Sequence, residues 1–113
     1  MYPFTYERAS SLQDSVQGLR NDAEAKLLAG GMTLLPTMKM RLAAPSRLID
    51  ITRLADLRGI TREGNSVLIG AAQRHGEVAA DPTVCEAIPA LADLAGRIGD
   101  PQVRARGTLG GSI

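Results

Sequence analysis

The spacing of apolar residues changes period several times along this chain, and each change marks an element. Phe4, Thr5 and Tyr6 read as a short first strand. Ser10 and Ser11 follow, with Gln13 and Asp14 three residues later at capping-box spacing. Leu12, Val16 and Leu19 then recur at helical intervals and predict one face of a helix ending near Asn21-Asp22. Ala25 to Leu28 is apolar enough for a buried strand. Leu34, Leu35, Met38 and Leu42 return to helical spacing and predict a second helix, with Pro36 in its first turn, where a missing N–H costs little. After the loop Ala43-Ala44-Pro45-Ser46, Arg47 to Ile51 reads as the next strand.

Around Asp56 to Gly59 the elements become shorter, which predicts a seam. Gly59 to Arg62 and Val67 to Gly70, joined through Glu63-Gly64-Asn65-Ser66, read as a hairpin. Gln73 to Ala80 predicts a short helix. Asp81-Pro82 pairs an N-cap residue with a proline suited to the first helical position, and the segment it starts is broken or kinked at Pro89. Leu91, Leu94, Ala95 and Ile98 predict an apolar helical face, ended by Gly99-Asp100-Pro101. The final stretch, Thr108 to Ile113, reads as a strand running into a glycine turn. The fold class is α+β: a βαβ-type first subdomain over 1–56, then the start of a second α+β subdomain over 57–113. Nothing follows the last glycine turn where another element is expected, which predicts a truncated chain.

Composition narrows the function. Thirteen basic and twelve acidic side chains leave a formal net charge of +1, which gives no case for nucleic acid or an acidic membrane surface. One Phe, two Tyr and no Trp are too few for base-stacking platforms. A single cysteine, Cys85, excludes an internal disulfide framework and a cysteine-only metal site. No signal peptide or long apolar run is present, so the expected location is cytoplasmic, with no membrane-spanning segment.

Two glycine pairs carry the candidate chemistry. In Ala29-Gly30-Gly31-Met32-Thr33 the glycines lie between a strand and a helix, where they permit positive φ and remove the Cβ atoms that would hold a ligand off the backbone N–H groups. Thr33 either caps the helix or turns its hydroxyl to an anion. Donors at a helix start suit a phosphate, although the motif is neither G-x-G-x-x-G nor a P-loop, and a plain tight turn explains it equally well. Thr108-Leu109-Gly110-Gly111-Ser112 repeats the pattern, and two such nests suit the two charges of a diphosphate. Arg104 and Arg106 are candidates for the compensating charge, or else are solvated or paired with carboxylates. His75, the only histidine, has no partner at metal-ligand or nucleophile spacing and reads as a surface or helix-start residue. Cys85 reads as a small buried hydrophobe. Asp50, Asp56, Asp81 and Asp100 are spread over caps and loops and form no acid–base pair. No catalytic side chain and no metal ligands are predicted.

Several stretches together carry a resemblance: Ala29 to Pro36, Met38-Lys39-Met40-Arg41-Leu42, Leu48-Ile49-Asp50-Ile51, and above all Ile98 to Ile113. The chain resembles the N-terminal portion of the FAD-binding medium subunit of molybdenum hydroxylases, the carbon monoxide dehydrogenase and xanthine dehydrogenase group. The resemblance implies that Ala29, Gly30, Gly31, Met32 and Thr33, with Thr108, Leu109, Gly110, Gly111 and Ser112, bind the FAD pyrophosphate. Met32 replaces the more usual polar residue, so only its backbone contact carries over. The implied activity is that of a flavoprotein subunit of an oxidoreductase. Electrons pass from 2Fe-2S clusters in a small partner subunit through FAD to an external acceptor, and substrate is oxidised at a molybdenum cofactor in a large partner subunit; the flavin carries the redox chemistry. The shortened chain is expected to be inactive alone. Two alternatives remain. A covalent flavoprotein would show a His or Cys near the first turn, and none is there; a non-catalytic phosphate-binding or scaffold module would reuse both turns without flavin.

Overall fold

Leu48 and Ile49 are neighbours in one strand, and each is only 1% exposed. Successive side chains of a strand point to opposite faces, so both faces of this strand are covered. In the computed structural model, which describes residues Met1–Ile113, that strand is the middle of a three-stranded sheet. Two compact units are present, Met1–Leu54 and Ala55–Ile113.

In the first unit, β1 (Thr5–Arg8), α1 (Leu12–Asn21), β2 (Ala25–Leu28), α2 (Leu34–Lys39) and β3 (Arg47–Asp50) follow in order. The sheet order is β1-β3-β2 and every pairing is parallel, with Arg47 opposite both Thr5 and Ala25. The predicted β-α-β succession is present, but β3 inserts between the two strands that α1 connects. α1 starts as its sequence asks. Ser11 Oγ accepts from the Asp14 N–H at 3.0 Å, and Asp14 Oδ2 accepts from the Ser10 N–H at 3.1 Å, one residue before the reciprocal bond of a standard capping box.

The predicted inner face of α1 is corrected. Leu12, Val16 and Leu19 are 41%, 40% and 37% exposed, and the buried positions are Ser15 and Gly18. A Cβ on Gly18 would lie 2.6 Å from Ile49 Cδ1, so the helix comes as close to β3 as a glycine allows. α2 is also shorter than predicted and ends at Lys39. The Leu42 N–H donates to Thr37 O and the Arg41 N–H to Met38 O, both at 3.0 Å, while Arg41 has a φ of 59°. This is a Schellman ending with arginine at the position that usually takes glycine, and no glycine in the sequence marks the stop before Leu42. Met38, 1% exposed, is the residue of α2 that enters the core.

The second unit begins with a 3-10 turn (Ala55–Leu57), then β4 (Ile60–Glu63), β5 (Ser66–Ile69), α3 (His75–Ala80), α4 (Pro82–Ala87), α5 (Pro89–Gly96), α6 (Pro101–Arg104) and a 3-10 turn at Gly110–Ser112. The hairpin forms as predicted, and Gly64 at its tip has a φ of 61°, as the first central residue of a type II′ turn requires. Asp81 Oδ1 accepts from the Thr83 and Val84 N–H groups, with Pro82 at the first helical position. Pro89 opens a separate helix, so of the two expectations, a break or a kink, the break is present. Asp100 Oδ1 accepts from the Val103 N–H at 2.8 Å and starts a further short helix where the sequence suggested only an end. The core gathers Val78 and Val84, both fully buried, with Ala92 and Ala95, and Ile60, Ile69, Ala79 and Leu91 pack around them. On α5, Ala92 and Ala95 face inward and Leu91 packs against the core, while Leu94 is 60% exposed, which corrects that one residue of the predicted apolar face. No strand forms at Thr108-Leu109; one antiparallel bridge joins Thr108 to Arg74.

Gly70 controls how the hairpin meets the chain around Leu57. Its N–H donates to Gly59 O at 2.8 Å, and a Cβ there would lie 2.4 Å from Leu57 O and 2.6 Å from Leu57 C. Backbone atoms cannot rotate aside, so Gly70→Ala is expected to cost about 1–3 kcal/mol, the range for overpacking. Urea denaturation of the variant measures it, and an unchanged midpoint would refute the close approach.

His75 gives the fold an acid sensitivity. The ring is 2% exposed, and burial pushes its pKa below the ordinary 6.5. As pH falls through 6.5 the unfolded chain takes up a proton that the native chain does not, so stability declines from there down to the lowered native pKa and is fully present above 6.5. Because the chain has one histidine, the decline should be missing from His75→Gln. Urea midpoints at about pH 7.5 and 5.5 test this through the ordinary histidine range, and equal midpoints for the wild type would contradict it.

Candidate functional site

The first glycine turn leaves the end of β2, where Leu28 O accepts from the Ile51 N–H at 3.0 Å and fixes the point of departure. Gly31 has a φ of 76°, which turns the chain toward α2. Gly31 O accepts from the Leu35 N–H, and Thr33 O accepts from the Thr37 N–H and, at 2.6 Å, from the Thr37 hydroxyl. The carbonyls of Gly31 and Thr33 are therefore committed to the helix. The turn's N–H groups are not: those of Gly30, Gly31, Met32 and Thr33 have no acceptor within the chain. The Thr33 hydroxyl makes no capping bond, which leaves it open to an external partner. α2 has only six residues, so the capacity for an anion lies in these N–H groups themselves and owes little to a helix dipole. A diphosphate oxygen fits this turn chemically: free donors, no neighbouring carboxylate hydrogen-bonded to them, and a glycine pair at the point of approach.

The second turn is built differently. The Leu109 N–H donates to Gln73 O at 2.9 Å, the Gly110 N–H to Ala71 O at 2.8 Å, and the Gly111 N–H to Thr108 Oγ1 at 3.0 Å. The Ser112 N–H donates to Thr108 O and Leu109 O. The expectation of two open N–H nests is corrected here, because every N–H from Leu109 to Ser112 already has a partner. The reason is tertiary. Ala71 to His75 runs beside Gly107 to Gly110 and takes its hydrogen bonds, with the His75 N–H donating back to Gly107 O at 2.9 Å. Gly110 is a glycine because a Cβ would lie 2.8 Å from both Ala71 Cβ and Ala71 O. Thr108 is 4% exposed, while Gly111 and Ser112 remain on the surface. What this turn offers a ligand is the Ser112 side chain and the exposed face of Gly111.

His75 belongs with this second turn. Its Nε2 lies 2.9 Å from Ser112 Oγ, and its Nδ1 is buried without a partner. The residue does start a helix, as its sequence suggested, but it is buried and not on the surface. A lone histidine gives no signal of this; only the pairing of Ala71–His75 with Gly107–Gly110 reveals it. Cys85 is likewise corrected, since it is exposed, with its thiol directed at Ala79 O.

The two arginines separate. Arg104 Nη1 donates to Ile98 O at 3.2 Å and Gly99 O at 3.0 Å, tying down the end of the preceding segment, whereas Arg106 is exposed and unpaired. Among the carboxylates, Asp81 and Asp100 cap helices. Asp50 accepts from the Thr52 N–H and hydroxyl and from the Tyr6 hydroxyl; burial pushes its carboxyl up, but these bonds outweigh burial and hold its pKa below the ordinary value. A carboxylate held ionised in this way is a structural acceptor and a poor general acid. No helix of the chain is long and apolar enough to cross a membrane.

The family described as FAD binding domain in molybdopterin dehydrogenase matches residues 2–113. The carbon monoxide dehydrogenase medium chain of Hydrogenophaga pseudoflava is 48% identical over 111 residues, covering 97% of this chain and 39% of that protein. The putative xanthine dehydrogenase FAD-binding subunit of Escherichia coli is 38% identical, over 100% of this chain and 39% of its own length. Among solved structures, carbon monoxide dehydrogenase from Hydrogenophaga pseudoflava superposes with a TM-score of 0.95 at 47% identity, over 97% of this chain and 39% of that one. Quinoline 2-oxidoreductase from Pseudomonas putida gives 0.93 at 38% identity, over 96% of this chain and 38% of that one. The chain thus spans about two fifths of the length of the curated relatives it matches. It belongs to the family of FAD binding domains of molybdopterin dehydrogenases.

Proposed function

We propose that this chain is the FAD-holding part of a medium subunit in a molybdenum-containing oxidoreductase of the carbon monoxide dehydrogenase or xanthine dehydrogenase type. The observation that carries the reading is the set of free N–H groups at Gly30, Gly31, Met32 and Thr33, in a chain matched to the family over residues 2–113. Ala29 to Thr33 receive one end of the FAD diphosphate on their N–H groups and the Thr33 hydroxyl. Thr108 to Ser112 receive the other through Ser112 and the surface of Gly111. The first subdomain then corresponds to 1–56 and the second begins at 57. When bound, FAD supplies the redox chemistry, accepting electrons from 2Fe-2S clusters of a small subunit and passing them to an external acceptor, while a large subunit with the molybdenum cofactor oxidises substrate. The residues of this chain bind and orient, and none is assigned a bond-breaking role.

Gly30 is the sharpest test, because its φ is not positive and a side chain there meets no backbone strain. Gly30→Val is expected to leave the complete medium chain folded, with a denaturation midpoint near that of wild type, and to abolish FAD retention by filling the approach to the N–H groups. Flavin absorbance per protein, measured after purification, reads it out. A normal flavin content in that variant would sink the diphosphate assignment, and absence of flavin from the wild type would favour the scaffold alternative. Gly110→Val is a poorer test, since its Cβ already collides with Ala71.

The arginines predict a split result. Arg106→Gln should weaken FAD binding by up to about fivefold, as for one exposed ion pair, and flatten its salt dependence. Arg104→Gln should lower the urea midpoint through the loss of two carbonyl contacts, with the salt slope unchanged. Titration of FAD at several salt concentrations distinguishes them, and a wild-type slope in Arg106→Gln would remove that residue from the site.

A further inference from the structure

The His75 ring carries one proton when neutral, and the structure restricts where it sits. With the proton on Nδ1, a buried N–H would have no acceptor, and the Ser112 hydroxyl would have to donate to Nε2. With the proton on Nε2, the ring donates to Ser112 Oγ across the 2.9 Å contact, and only a lone pair on Nδ1 goes unpaired. Orphaned buried N–H groups are rarer than under-satisfied acceptors, so the second arrangement is favoured. It has a consequence for the loop. Ser112 Oγ then accepts from the ring, and its own hydrogen, which has no acceptor within the chain, is free to donate outward from an exposed residue. Gly107 lies against the same Cδ2–Nε2 edge of the ring, where a Cβ would come within 3.1 Å of His75 Cδ2 and 3.5 Å of Nε2.

We propose that His75 is a positioning residue of the second glycine turn, whose Nε2–H holds Ser112 Oγ so that the Ser112 hydroxyl donates to an oxygen of a bound phosphate. The proposal rests on the reading of this chain as an FAD holder and assigns the diphosphate as that ligand. It explains why a polar ring is buried under a loop whose backbone donors are all spent. The turn contributes one side-chain hydrogen bond, aimed from below.

The test uses the complete medium chain with FAD. A glutamine amide nitrogen stands as many bonds from Cα as Nε2 does, and an asparagine nitrogen as many as Nδ1. His75→Gln should therefore keep FAD affinity within about threefold of wild type, while His75→Asn and Ser112→Ala should each lose about tenfold, the worth of one hydrogen bond to a charged group. The double variant His75→Asn with Ser112→Ala should lose no more than either alone, because both remove the same bond. Independently of flavin, ring ¹⁵N shifts of the single histidine should report the Nε2–H form at neutral pH. Wild-type affinity in Ser112→Ala, additive losses in the double variant, or an Nδ1–H ring would each overturn the proposal. Ser112 is exposed, so its variant stays informative even where His75→Asn does not fold. A flavin-loaded Ser112→Ala protein with unchanged affinity defeats this inference alone, whereas a wild-type chain that takes up no flavin defeats the functional reading and this inference with it.

Discussion

Close approach at a glycine is the constraint on which both units depend, against a core side chain in the first unit and against backbone in the second. The chain has one Phe, two Tyr and no Trp, so few side chains are large enough to bridge gaps between elements. The elements come together instead. Gly18 brings α1 to within 2.6 Å, measured from an imagined Cβ, of Ile49 on the central strand. Gly70 lets the hairpin pass against Leu57 at 2.4 Å by the same measure. The second contact reaches further, because Gly70 leads directly into Ala71, Ala72 and Gln73, and the carbonyls of Ala71 and Gln73 hold the N–H groups of Gly110 and Leu109. The shape of the second glycine turn is thus set by a packing contact that lies outside it.

The two turns look alike in sequence and differ in how their donors are used. In the first, the Gly31 and Thr33 carbonyls are bound and the N–H groups of Gly30 to Thr33 are left without a partner in the chain. At Thr108 to Ser112 the N–H groups are bound and a side-chain hydroxyl is left. A turn of the first kind gives up water when an anion arrives and replaces it with several weak bonds at once. A turn of the second kind is already rigid, and its loop has little conformational freedom left to lose on binding. Within the proposed function, the first supplies most of the attraction and the second supplies position.

Local signals in the sequence were legible. Ser11 with Asp14, Asp81 with Pro82, and Gly64 at the hairpin tip all act within four residues, and each element they mark is present. Both glycine turns were found for the same reason. Failures came where a distant segment decides. Leu12, Val16 and Leu19 have the spacing of an inner face, but Ser15 and Gly18 win because the sheet accepts only small residues there. On α5, Ala92 and Ala95 face the core and Leu94 does not. Arg41 ends a helix in a conformation usually left to glycine, so no residue type announced it. The donors of the second turn, and the burial of His75 beneath it, follow from pairing two segments more than thirty positions apart, and nothing within either segment encodes that.

The order of strands in the first unit also bears on how the chain is made. β1 is made before the other two strands of its sheet, yet its only partner there is β3, which starts at Arg47. β2 waits for the same strand. Until Arg47 to Asp50 has emerged, neither earlier strand has anything to pair with, and α1 has no Ile49 against which to set Gly18. The nascent first unit is therefore a set of separate pieces that a single four-residue strand, arriving last, assembles on both of its edges.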